Sequence, residues 1–190
     1  MFVEVGLLQR LSVFLGHPIY SLSIVLFSVV LFTGLGSFAS GGLVLRSHAE
    51  FGIWAIALAA YIAALPGWLP AVLGDLESRG ILVRATAAMA VIAPAGFLMG
   101  FGFPTGMRMI LEHSPKPAPW FWGINGAASV LGSILAVAIS ITYGINWTLF
   151  LGAVCYAALI PAAVILRQKS AAFTRGYQPD GGIPDIAQEV

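Results

Sequence analysis

Charge is scarce in this sequence of 190 residues. Asp, Glu, Lys and Arg together make up 9% of it, against about 25% in an ordinary soluble domain. That scarcity excludes a disordered chain, a nucleic-acid binder and almost any soluble globular enzyme. Nine Lys and Arg stand against eight Asp and Glu, a net charge of +1. No bias of sign points to a charged macromolecular partner. Cysteine is nearly absent: Cys155 alone cannot make an internal disulfide or a cysteine-type metal site, and its apolar neighbours mark it as a small packing residue. The three His are scattered, and no Ser/His/Asp arrangement, carboxylate pair or metal-ligand spacing is visible. No catalytic residue, metal or cofactor is therefore expected.

What fills the sequence instead is apolar. Hydrophobic residues make up 59%, and the mean hydropathy is +0.93. The few charges bound four long uncharged gaps: 35 residues after Arg10, 24 after Glu50, 23 after Arg84 and 50 after Lys116. A spanning helix needs roughly 20 predominantly apolar residues. Three gaps hold one helix each and the last holds two. The expected class is an all-α polytopic membrane helix bundle, its first partner the lipid bilayer.

Five spans are expected, at about 20–41, 49–65, 81–103, 120–143 and 146–166, forming a transmembrane domain over 1–167. The last two are separated only by Tyr143-Gly-Ile-Asn146, a tight turn that makes them antiparallel neighbours. Pro66-Gly-Trp-Leu-Pro70 should end or break the second span, leaving 69–78 as a short interfacial helix. Pro94 and Pro161 should kink their helices. Residues 1–16 carry Glu4, Gln9 and Arg10 among apolar residues. With no positive charge in the first nine residues they do not read as a signal peptide. They read as an interfacial helix or as the tail end of a helix whose beginning is missing. Residues 168–190, with Pro179, Gly181, Gly182 and Pro184, should form a flexible tail.

Loop cations set orientation. One side collects Arg10, Arg79 and Arg84. The other collects Arg46, Arg108, Lys116, Arg167, Lys169 and Arg175. This bias places the C-terminus in the cytoplasm of a cell-membrane protein.

Membrane helices associate through small residues, because lipid tails are as apolar as Leu. Ala128, Gly132, Ala136 and Ser140 recur every fourth residue and lead to Gly144, and Gly96 and Gly100 share one face. Both stripes should pack against neighbouring helices. Gly34-Leu-Gly36 lies inside an apolar span with no strand before it, so it is not a nucleotide loop.

Few side chains could carry chemistry. Glu4, Gln9 and Arg10 need water, headgroups or a partner helix, and Glu4 and Arg10, about 240° apart, cannot pair within one helix. Ionisable groups at membrane depth tend to be functional. Asn125 and Ser129 lie near the start of the fourth span, where an amide must find a partner. These five are the candidate binding residues; interfacial placement and helix–helix contact are the plainer explanations.

Three stretches carry a resemblance: Phe2–Pro18, Phe103-Pro-Thr-Gly-Met-Arg108, and Pro119-Trp-Phe-Trp-Gly-Ile-Asn-Gly-Ala-Ala-Ser-Val-Leu-Gly-Ser133. They resemble the membrane portion of multi-pass spermidine synthase-like proteins. In that family membrane helices accompany a soluble domain similar to polyamine aminopropyltransferases and methyltransferases. The resemblance spans roughly 1–166. It implies that Met1 is internal to a longer parent, with upstream helices and a soluble domain as partners, and it transfers no catalytic residue to this chain. The alternative from the residues themselves is a transporter-like bundle moving a small solute through a polar cavity near the midplane.

Overall fold

In a computed structural model of the chain, residues 1–42, 48–111 and 118–165 are described. The expected tail at 168–190 lies outside them. Every element among the described residues is helical: α1 (Phe2–Leu15), α2 (Pro18–Ala39), α3 (His48–Leu76), α4 (Ile81–Met99), α5 (Gly102–Leu111), α6 (Ala118–Tyr143) and α7 (Ile145–Ala157). Five segments are long and apolar enough to cross a membrane: Pro18–Ala39, Ala49–Leu76, Ile81–Arg108, Pro119–Tyr143 and Ile145–Ile165. The third joins α4 and α5 across a break at Gly100-Phe101, and the fifth continues past Ala158 to residue 165. The chain is a multi-pass membrane helix bundle.

Two elements differ from the sequence reading. α3 does not stop at Pro66 but runs unbroken through Pro66 and Pro70 to Leu76, so no separate interfacial helix follows. The two prolines are four residues apart, so the missing backbone donors fall on one face and cost the helix only one side. Its buried stripe Leu58, Ile62, Leu65, Leu69 and Leu73 passes through the same region. Packing of that stripe holds the helix where local propensity would end it. The second difference is the interfacial placement that was one of two expectations for α1. This helix is not laid on a surface: Val3, Gly6, Leu7, Leu11, Phe14 and Leu15 are buried, and the helix packs on α7, α2, α6 and α4. Its 14 residues span about 21 Å, well short of the roughly 30 Å hydrocarbon core. It is a short helix inside the bundle.

Gly16, at φ 72°, closes α1 in a left-handed cap whose N–H donates to the Ser12 carbonyl. His17 follows as an extended residue at the start of α2, its ring 5.1 Å from that of Tyr20. Gly144, at φ 95°, reverses the chain between α6 and α7. Only glycine takes such angles without strain. These turns, together with residues 77–80, bring the ends of α1, α3 and α6 and the starts of α2, α4 and α7 to one rim of the bundle.

The tightest contact joins α2 and α4. A Cβ on Gly36 would lie 2.0 Å from the Phe97 carbonyl oxygen, and one on Gly100 would lie 2.3 Å from that of Thr33. Gly96 abuts Phe32. The expected packing role of Gly96 and Gly100 is thus met, with the α2 face around Gly36 as the partner. α3 is tied to α4 by two long-range bonds: the Trp54 indole N–H donates to the Leu98 carbonyl (2.9 Å) and the Tyr61 hydroxyl to the Val91 carbonyl (2.7 Å). At the opposite rim Arg108 donates to the Ser40 hydroxyl at the end of α2 (2.8 Å).

Candidate functional site

The polar side chains of α1 occupy three different settings. Glu4, one turn from the start of α1, accepts an ion pair from the Met1 amine at 3.2 Å and is about one quarter exposed. Around it the bundle is apolar: Val3 and Leu7 are buried on either side along the helix. Met1 itself sits beside the middle of α6, where the Ser133 hydroxyl donates to its sulfur and its Cβ meets the Gly132 backbone. Gln9 points to α6 as well, and its side-chain oxygen accepts a hydrogen bond from the Ser140 hydroxyl. Arg10 turns away from both, into a groove at the rim.

The small-residue stripe of α6 has correspondingly different fates along its length. Ala136 is fully buried and its carbonyl accepts from the Thr148 hydroxyl of α7. Ser140 meets Gln9, and Gly132 meets Met1. Ala128 is exposed. Asn125 is exposed too, and Ser129 donates back to the Asn125 carbonyl at 2.8 Å. That intrahelical bond satisfies the Ser129 hydroxyl without a partner helix. Asn125 and Ser129 therefore stand on the open half of α6, apart from Glu4, Gln9 and Arg10. Of the three α1 residues, Gln9 reaches a polar residue of α6, Ser140, which belongs to the small-residue stripe.

The rim groove was not legible in advance. It has a volume of about 290 Å³, at the small end of the range for ligand pockets. Arg10, Val13 and Phe14 of α1 form one wall, Leu73 and Glu77 the second, and Ile145 at the start of α7 closes it. Behind Phe14 stands Arg84, its guanidinium 5.2 Å from the ring centre and packed against Gly16. The Arg84 Nε is buried without a hydrogen-bond partner. A cation in the first turn of α4 also opposes the positive end of that helix, so its stacking on Phe14 is what holds it there.

Among the described residues no group of three His, Cys, Asp or Glu could hold a metal ion. Cys155 is exposed on α7 rather than packed, because the face of α7 that bears it looks away from α1 and α3. Comparison with family models, with curated proteins and with solved structures returned no match.

Proposed function

We propose that this chain is the membrane module of a spermidine synthase-like protein, whose helices anchor or serve a soluble aminopropyltransferase- or methyltransferase-like domain. One observation supports the reading above others. The second and third of the stretches that carry the resemblance pack on each other, and the residue preceding the first packs on the third. Phe103 of α5 packs its ring 5.5 Å from Phe121 and 4.6 Å from Trp122 of α6. Gly106 abuts Phe121. At the other end of the third stretch, Ser133 and Gly132 receive Met1, the residue just before the first. Motif residues that pack on one another are what a shared membrane architecture predicts, since buried contacts restrict sequence more than lipid-facing positions do.

Sequencing the reading frame immediately upstream of the Met1 codon tests the proposal. An in-frame glycine-rich strand–loop–helix domain upholds it. A stop codon followed by an unrelated gene overturns it. The proposal also places the C-terminus in the cytoplasm of the cell membrane, following the excess of loop cations on that side. Labelling of a cysteine introduced at Arg175 by an impermeant reagent added from outside would reverse that orientation.

A second reading, a transporter-like bundle for a small solute, draws on Glu4. Glu4 is partly exposed and paired with the Met1 amine, set between the buried Val3 and Leu7, and ionisable groups within membrane bundles mark solute or proton paths. Uptake into vesicles carrying the chain, compared with vesicles carrying Glu4→Gln, tests it. Uptake abolished by that substitution favours the transporter; absence of uptake of amines, amino acids and sugars alike removes it.

A further inference from the structure

The rim groove holds two opposite charges that do not meet. Arg10 and Glu77 both line it, and no ion pair joins them. They come from α1 and from the residue just after α3, so their approach is set by tertiary packing. Between them the walls are apolar: Val13, Phe14, Leu73 and Ile145. A guanidinium and a carboxylate facing one cleft would ordinarily close on each other, because the pair is worth most at short range. Phe14, stacked against Arg84 from behind, lines the cleft beside Arg10.

We propose that this groove binds the headgroup of an aminophospholipid, a phosphate joined to a primary ammonium. Arg10 takes the phosphate, which a guanidinium recognises through its fork of donors. Glu77 takes the ammonium, which offers three N–H donors to a carboxylate. The apolar wall takes the first methylenes of the glycerol and acyl region. Three features select a lipid over a free solute. The groove lies where α3 ends and α7 begins, at the end of two spanning segments. Its volume of about 290 Å³ suits a headgroup and little more. Its lining between the two charges is hydrocarbon. Glu77 supplies the specificity: a quaternary choline has no N–H to give it, and an anionic glycerol headgroup meets repulsion.

The test is native mass spectrometry of the whole chain released from mixed micelles containing equal phosphatidylethanolamine, phosphatidylcholine and phosphatidylglycerol. The wild type should retain phosphatidylethanolamine about fivefold over phosphatidylcholine, the size of one partly exposed ion pair. Glu77→Gln should abolish that preference and raise phosphatidylglycerol, while total phospholipid retention stays. Arg10→Gln should lower retention of all three. Thermal melts of both variants, matching the wild type in lipid-free detergent, confirm that they fold. Equal retention of phosphatidylethanolamine and phosphatidylcholine by the wild type overturns the proposal, and so does an unchanged preference in Glu77→Gln. Displacement of the bound lipid by millimolar free phosphoethanolamine would assign the groove to a soluble zwitterion and overturn the lipid assignment.

Discussion

The α2–α4 contact and the first half of α6 are built from the same kind of sequence and end in opposite states. Both present small residues at helical spacing. On α2 and α4 the glycines are spent on contact: Gly36, Gly96 and Gly100 leave no room for a methyl group. On α6, Gly123 and Gly126 have nothing within 4 Å of where a Cβ would be. Far less of α6 than of α3 is buried inside the bundle. A small-residue stripe therefore specifies where a close approach is possible. Whether a helix takes it up depends on what else the chain can bring there. α1 fills the second half of the α6 stripe, from Gly132 to Ser140.

The sharpest way to break this comparison is to add volume on the closed side. Gly100→Val forces a branched side chain into the Thr33 carbonyl. It should destabilise the bundle by about 3 kcal/mol or more, read as a lowered melting temperature in detergent. A loss as small as that of a lipid-facing substitution would show that α2 and α4 are not held backbone to backbone. Next in size is Trp54→Phe, which removes the indole donor to Leu98 and leaves the ring volume largely in place. The expected cost is about 1 kcal/mol, and Phe51 and Tyr156, whose rings lie 5.3 and 6.4 Å away, keep the aromatic cluster packed.

Two smaller effects probe the α6 side. A double-mutant cycle on Gln9→Leu and Ser140→Ala should give a coupling of about 0.6 kcal/mol, the usual size of a hydrogen bond between membrane helices. Zero coupling would mean that α1 rests on α6 by shape alone. Smallest of all, Gly126→Ala should raise stability by about 0.5 kcal/mol, because alanine restricts the helix backbone at no steric cost. A marked loss there would reveal that the open half of α6 is covered in the folded protein.

The spans were legible because they depend on residues one at a time. Tyr143-Gly-Ile-Asn146 announced its own turn, and Gly144 takes the positive φ that the turn demands. Gly96 and Gly100 announced a close approach, although not that Gly36 would be the other side of it. Pro66 and Pro70 would end a helix on local propensity alone, but Leu65, Leu69 and Leu73 bury a face that carries α3 past both. Among the candidate site residues, Gln9 found Ser140 and Arg10 found a groove shared with Glu77, while Asn125 and Ser129 stayed on an open surface. Neither pairing has a signature in spacing, since Gln9 and Ser140 are 131 residues apart.

By itself the sequence determined that this chain lives in a bilayer as helices, and where most of them begin and end. Transfer into lipid is a sum over side chains, so 9% charge placed at the ends of uncharged runs is sufficient to decide it. Only the tertiary structure decided which stripes are closed, that α1 is inside the bundle, and that Arg10 shares a groove with Glu77. In lipid, a helix face meeting another helix and a face meeting acyl chains are equally apolar. The choice between them lies in shape and in a few polar contacts, and those exist only once distant segments have been brought together.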